Sequence, residues 1–271
     1  MKCPVCFRHC DLAAGQIGFC RARMNQRGKI VPRNYGAVTS LALDPIEKKP
    51  LKLFHPGSRI LSLGSYGCNL RCPFCQNYEI SQRDLSAESD ILTPEMVVAY
   101  AKELLPQGNI GVAYTYNEPL VSYEFVRDCG KLVHENGLLN VLVTNGTATL
   151  EILNEILPYM DAINIDLKGF SSEFYDYVGG DFEMVKDFIA AAAKKCHVEL
   201  TTLIIPGHND TPAMMEEEAA WIALLDPSMP LHITRYFPCY KEKAPPTEVA
   251  VLEKLAAVAR KYLTNVFIGN V

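Results

Sequence analysis

Short apolar, β-branched runs alternate with longer stretches of helical period along most of this chain. Six of the runs read as strands, at 59–65, 109–115, 139–144, 162–167, 197–204 and 231–236, and 265–268 reads as a short last one. Between them, Pro94–Leu105 follows the N-cap Thr93, Leu120–Asn136 stops at Gly137, and Leu150–Met160 follows Thr149. Further helices are expected at 184–195, 212–225 and 246–262. The strand starts fall about 23 to 50 residues apart, which suits right-handed βα units of roughly 30 residues. The expected fold class is α/β, a parallel barrel or partial barrel. Lys48–Gly57, with three lysines and two prolines, reads as a linker, so residues 1–57 are expected to form a small Cys-rich segment ahead of a barrel at 58–271.

Composition narrows the class of protein without changing that picture. With 271 residues, 49% of them hydrophobic and 21% charged, the chain can bury one large core plus an appendage. The net charge of -5 is spread out, and no basic tract is long enough to track a phosphate backbone, so nucleic acid is unsupported. No run approaches the roughly 18 apolar residues of a membrane helix, and the start Met1-Lys2-Cys3-Pro4 has no apolar leader. A cytoplasmic location is expected. Ten cysteines in such a chain then argue for metal ligation rather than disulfides.

The cysteines carry the chemistry. Cys68, Cys72 and Cys75 stand in C-x3-C-x2-C spacing just after the first strand, whose glycines Gly64 and Gly67 would deliver them to the C-terminal face of a barrel, where active sites sit. Thiolates are soft donors that suit iron-sulfur clusters, and a cubane ordinarily takes four of them. Three leave one iron open to an outside ligand, and S-adenosylmethionine (SAM) can fill the gap through its amino and carboxylate groups. A zinc site or unligated thiols are the competing readings, but zinc wants a fourth ligand, and no His lies between His55 and His134.

Polar residues gather at the ends of the expected strands, in Tyr114-Thr115-Tyr116-Asn117-Glu118-Pro119, Thr144-Asn145-Gly146, Asp166-Leu167-Lys168 and Pro206-Gly207-His208-Asn209-Asp210, while His232 and Arg235 lie on the sixth strand. A zwitterionic ligand needs both signs of charge close together, because a buried ion is costly unless paired. Asn117 and Glu118 could accept from an ammonium group, and Lys168 could meet a carboxylate. His232 is expected to face the same mouth. Local roles compete: Asn145-Gly146 as a turn, Asn209-Asp210 as a cap, and Asp166 with Lys168 as a structural pair.

Together with Cys3-Pro4-x-Cys6, Gly15-Gln16-x-Gly18, Thr201–Pro206 and Pro230–Pro238, these segments resemble the radical SAM superfamily. Within it, the chain is similar to enzymes related to the pyruvate formate-lyase activating enzyme, and most of all to the radical SAM family of the AmmeMemoRadiSam system. The resemblance implies a partial (β/α)6 TIM-like barrel, a 4Fe-4S cluster on Cys68, Cys72 and Cys75, and SAM. It implies that Asn77, Tyr116, Asn117 and Glu118 lie at the SAM methionyl group, with Thr144 and Asn145 beside it, and that Asp166 and Lys168 lie near the SAM carboxylate. Val143 stands where activating enzymes usually have Asp, which removes one carboxylate.

Cys3, Cys6, Cys10 and Cys20 form a second set, C-x2-C-x3-C-x9-C, with His9 as a possible substitute ligand. Four soft ligands close a site, so zinc or an auxiliary iron-sulfur cluster would be structural or electron-relaying there. The segment is too short to fold on its own core, which favours a metal staple. Cys129 and Cys196 are expected to pack as small apolar residues, as is Trp221; Cys239 falls near the end of the sixth strand.

The expected function is an oxygen-sensitive radical SAM enzyme that cleaves SAM to a 5'-deoxyadenosyl radical and abstracts hydrogen from a partner protein, as glycyl radical activating enzymes do. An external one-electron donor of flavodoxin or ferredoxin type is implied. The alternatives are a small metabolite or nucleotide as target, or a non-catalytic iron-sulfur or zinc protein.

Overall fold

The computed structural model describes residues 1–85 and 88–271. Twelve strands are present among them: β1 (Arg23–Gln26), β2 (Lys29–Pro32), β3 (Ala37–Val38), β4 (Ser40–Pro45), β5 (Arg59–Gly64), β6 (Asp90–Ile91), β7 (Asn109–Thr115), β8 (Leu139–Thr144), β9 (Ala162–Asp166), β10 (His197–Ile204), β11 (Leu231–Arg235) and β12 (Val266–Gly269). Eight of these form one sheet in the order β12-β11-β10-β9-β8-β7-β5-β4, parallel except for β4, which runs antiparallel to β5. The sheet is a partial barrel whose two free edges are β4 and β12.

Helices α1 (Tyr78–Ser81), α2 (Pro94–Glu103), α3 (Tyr123–Glu135), α4 (Leu150–Ile156), α5 (Ser172–Val178), α6 (Phe182–Ala192), α7 (Pro212–Leu225) and α8 (Val249–Ala259) fill the crossovers. Local chemistry sets their starts. Thr93 and Thr211 each accept a hydrogen bond from the backbone N–H three residues on, ahead of Pro94 and Pro212 at the first helical position, and Asp181 does the same for α6. Side chains alternate along each parallel strand. Leu61, Leu63, Val112, Tyr114, Leu142, Ile163 and Ile165 pack outward into the main core, while Ile60, Ala113, Val141 and Ala162 turn inward. At Gly111, a Cβ would lie 1.8 Å from the carbonyl oxygen of Leu139, so only glycine lets β7 and β8 approach there.

The six long strands and the final short one fall where the apolar pattern places them. The segment read as a linker does not behave as one. Ile46 and Leu51 are fully buried and close the barrel floor against the inward Ile60, Ala113, Val141 and Ala162. Because β4 joins the main sheet, the barrel begins near residue 40 and runs across the boundary drawn at 57. The physical reason is that a barrel left open at one side exposes its own lining, and the chain between β4 and β5 is what covers it.

A polar layer sits above that floor. The Glu199 carboxylate accepts from the backbone N–H groups of Lys52 and Leu53, each at 2.8 Å, and meets His197 Nε2 at 2.9 Å and His232 Nε2 at 2.6 Å. Beside it the Asn164 amide donates to Pro50 O and Thr201 Oγ1, both at 2.9 Å. Burial works against ionised Glu199, but its histidine and backbone donors outweigh this and hold the carboxyl down at about 2, from an ordinary 4.5. The stabilisation is therefore complete above pH 4.5 and is lost as the pH falls from there toward 2. Equilibrium urea unfolding should show stability dropping through that window and a flatter profile for Glu199→Gln. Glu199→Ala should cost about 3–5 kcal/mol at pH 7, because it strips the partner from a buried network.

Candidate functional site

At the C-terminal ends of the parallel strands lies a cavity of about 440 Å3, lined by Cys68, Cys72 and Cys75 together with residues from β7 to β11. The cysteines ride on the irregular segment 65–77, between β5 and α1. Cys68 Sγ accepts from Leu70 N at 3.4 Å, Cys75 Sγ lies 3.2 Å from Ser81 Oγ, and Cys72 is nearly buried. Burial pushes the free thiols of Cys68 and Cys72 up, Cys72 to about 12. A bound cation would lower them again, since a thiol that ligates a metal gives up its proton.

Asn117 and Glu118 hold this segment in place. The Asn117 carboxamide accepts from Ser65 N at 3.0 Å and donates to Tyr66 O at 3.2 Å and Gly67 O at 3.0 Å. Glu118, 3% exposed, accepts from Thr144 Oγ1 at 2.7 Å, Asn145 N at 2.8 Å and Leu120 N at 3.0 Å. Its carboxyl is nevertheless pushed up to about 7, because burial outweighs those donors. Asn145 in turn donates from Nδ2 to Asn69 Oδ1 at 2.9 Å and lies 3.8 Å from Cys68 Sγ. Thus Asn117 meets the cysteine segment's backbone instead of presenting itself to an ammonium group, while Glu118, Thr144 and Asn145 form one bonded cluster on the cavity wall. The signal in the sequence was their position after a strand; the partners are set by tertiary contacts.

Asp166 and Lys168 stand across the cavity as an ion pair at 2.8 Å. Burial works against the Lys168 ammonium, but Asp166 and then the neighbouring Cys72 outweigh it and raise its affinity for the proton. Tyr116 adopts a left-handed φ of 72°, donates its hydroxyl to Asp44 Oδ2 at 2.6 Å, and its carbonyl accepts from Asn77 Nδ2 at 2.8 Å. Lys49 lies over its ring at 4.6 Å and pairs with Asp44 at 2.9 Å. Asp44 and Lys49 were not singled out from the sequence, since Asp44 lies near the end of an edge strand of irregular burial and Lys49 falls in the stretch read as a linker. Val143, Thr201, Leu203 and Thr234 complete the inner wall.

His232 does not line this cavity. It sits on the open side of the barrel between Glu199 and the Phe267 ring, so the expectation that it faces the mouth is corrected: its inward position on β11 lies one step deeper than Thr234, which does reach the cavity. His208 stacks on Tyr177 at 4.4 Å, and Asn209 braces the turn by donating to Lys168 O and Leu203 O. Arg235 Nε donates to Thr247 O. Cys129 is buried in α3 and Trp221 packs against Phe170, both as expected, while Cys239 Sγ lies 3.6 Å from Cys75 O, just behind the cysteine segment.

Comparison with known proteins agrees with this geometry. The family model of the radical SAM superfamily matches residues 63–222, from the end of β5 to α7. The chain belongs to the radical SAM superfamily. An uncharacterized protein of Methanocaldococcus jannaschii is 40% identical over 280 residues, spanning all of this chain and 81% of that protein. The pyruvate formate-lyase 1-activating enzyme of Escherichia coli (strain K12) is 27% identical over 57% of this chain and 64% of its own length, and a putative glycyl-radical enzyme activating enzyme of M. jannaschii is 25% identical over 76% and 87%. Among solved structures, a radical SAM methyltransferase from Sphaerobacter thermophilus shares the fold over 80% of this chain and 67% of that one, with TM-score 0.61 and 17% identity.

Membership in the superfamily implies a 4Fe-4S cluster and SAM, and the donor set here suits both. Three thiols, Cys72 buried and Cys68 and Cys75 half-buried, line one cavity, with an ion pair offering both charges nearby. Among the described residues, no three Cys, His, Asp or Glu side chains converge on a single-ion site. No helix among the described residues is long and apolar enough to cross a membrane.

Asn117→Ala should release the cysteine segment. The expected cost is about 1–3 kcal/mol, the penalty for leaving buried backbone groups unpaired. Thermal unfolding of the metal-free chain measures it, and an unchanged melting temperature would contradict the clamp.

Proposed function

We propose that Cys68, Cys72 and Cys75 would hold a 4Fe-4S cluster with one iron left open to SAM, and that Lys168 and Asp166 are the side chains that would meet the carboxylate and the amino N–H groups of SAM's amino acid end. The observation that carries the reading is the meeting of three thiols and the half-buried Asp166–Lys168 pair at 2.8 Å in one cavity of about 440 Å3, a size that suits a nucleoside-sized ligand. When bound, the cluster supplies one electron that breaks the sulfonium C–S bond, giving methionine and a 5'-deoxyadenosyl radical. The protein's part is placement. Lys168 and Asp166 orient the amino acid end, Asn77 fixes the rim through Tyr116 O, and Glu118 with Asn145 keeps the Cys68 side of the cavity rigid.

The hydrogen donor in this reading is a partner protein that becomes a glycyl radical enzyme, served by an external flavodoxin- or ferredoxin-type donor. Relatives named as activating enzymes support it, at 25–27% identity.

Anaerobically reconstituted protein with dithionite should release 5'-deoxyadenosine from SAM. Cys72→Ala should release none, and release at the unmodified rate would overturn the cluster assignment. Lys168→Ala should raise the KM for SAM at least tenfold, about 1.4 kcal/mol or more of lost binding, with a smaller change in kcat. With a partner carrying glycine deuterated at Cα, deuterium should appear in 5'-deoxyadenosine. Transfer only from a small molecule would overturn the activating role while leaving SAM cleavage intact.

A further inference from the structure

The back of the cysteine segment carries charge that the fold does not balance. Arg8, Arg21 and Arg71 gather about Phe19, on the seam between the amino-terminal lobe and residues 65–77, and none of these four lines the cavity of about 440 Å3. The Arg8 and Arg71 guanidinium groups lie over the Phe19 ring at 3.4 and 3.8 Å. Arg71, between Cys68 and Cys72 in the chain, donates to Cys68 O at 2.9 Å and Leu70 O at 2.7 Å, while Arg8 donates to Asn69 O at 2.6 Å and Gly179 O at 2.5 Å. Each of those acceptors is a neutral carbonyl.

The chain as a whole has a net charge of -5, so a cluster of unmatched cations stands out against it. Among the described residues, the arginines that pair with carboxylates are Arg23, Arg33, Arg83 and Arg127, and the three at the seam are not among them. Arg33, which donates to Arg21 O at 2.9 Å, brings Asp84 close, but it holds that carboxylate itself at 2.7 Å. Burial first, then Arg21 and more weakly Arg8, bring Arg71 down to about 10 from an ordinary 12.5, as crowded like charges do. Arg21 gains little from the fold in return. Its Nη1 is buried without a hydrogen-bond partner and its φ of 65° is left-handed, so the side chain is kept there at a cost. Acidic groups laid over this face would offset the repulsion. Phe19, 38% exposed, gives it an aromatic centre, and arginines around an aromatic ring are the composition of protein-binding hot spots.

We propose that the face formed by Arg8, Phe19, Arg21 and Arg71 docks an acidic protein carrying a one-electron centre, whose electron reaches the cluster from behind Cys68. The inference rests on the reading of Cys68, Cys72 and Cys75 as ligands of a 4Fe-4S cluster. One electron leaves the reduced flavin or iron-sulfur centre of the partner and reduces the oxidised cluster by one, and no bond of this chain is made or broken. Position favours an electron donor over any other acidic partner. A molecule that gives up hydrogen has to enter the cavity, which this face does not line, whereas a donor needs only nearness, and Arg71 touches the carbonyl of Cys68. Opposite charge also steers such a partner to the face, because long-range attraction raises the rate of encounter.

The test is calorimetric binding of a flavodoxin and of a two-cluster ferredoxin to the anaerobically reconstituted full chain, beside 5'-deoxyadenosine release driven by each reduced donor or by dithionite. At least one donor should bind, about tenfold more weakly at about 500 mM salt than at about 50 mM. Arg21→Glu should weaken that binding at least about tenfold at low salt and leave dithionite-driven release unchanged. Lys254→Glu, the same change of charge on the exposed side of α8, should leave both unchanged. Arg8→Gln/Arg21→Gln, checked by circular dichroism, should act as Arg21→Glu does. Failure of both donors to bind the intact chain, full affinity in the folded arginine variants, or an equal loss in Lys254→Glu would each overturn the docking face. So would weaker binding of inorganic phosphate or nucleic acid in Arg21→Glu with donor binding unchanged. Should the intact chain release no 5'-deoxyadenosine even with dithionite while Arg21→Glu still loses donor binding, the SAM reading fails and the docking face stands.

Discussion

The catalytic arrangement depends on how a segment with almost no regular structure is kept in one shape. Residues 65–77 carry all three cysteines, yet most of the backbone groups there have no ladder to join. Asn117 takes over that task, with one carboxamide serving Ser65, Tyr66 and Gly67 at once. The next residue, Glu118, reaches the other way and fixes the β8 end through Thr144 and Asn145. Two adjacent side chains at the end of one strand thus set the distance between the cysteine segment and the opposite wall. A buried carboxyl group is an expensive way to do so, and its pKa is pushed up to about 7 because burial outweighs the donors around it.

Much of this was legible in the chain itself. Strand positions followed from β-branched runs, because a parallel strand buried on both faces must be apolar almost throughout. The cysteine spacing was equally plain, since ligation demands particular residue types at particular offsets. What could not be read was the use of polar groups whose partners are distant in sequence. Asn117 looks the same on paper whether it faces a ligand or clamps a loop, and His232 looks the same at the mouth or one step deeper beside Glu199. The edge strand β4 escaped notice because its burial follows neither period cleanly, and the charges of Lys48–Gly57 disguised Leu51, which is wholly buried.

That stretch shows how an open barrel closes itself. With β4 and β12 left as edges, the interior must be filled from the chain rather than by another strand. Leu51 supplies the apolar part at the floor, and the exposed backbone that comes with it is satisfied by Glu199 and Asn164. Sealing from below leaves the upper end free for polar lining. The same division between an inert base and a reactive top recurs in closed barrels.

Gly67 has a φ of 92°, and a Cβ there would fall 2.6 Å from Cys20 O, so the cysteine segment lies directly on the amino-terminal lobe. Arg8 and Arg71 both lie over the Phe19 ring, at 3.4 and 3.8 Å, and seal the same seam. One flank of the reactive centre is thereby walled off. A side chain at position 67 would have to push the amino-terminal lobe away, so the three cysteines and that lobe are committed to a single relative placement.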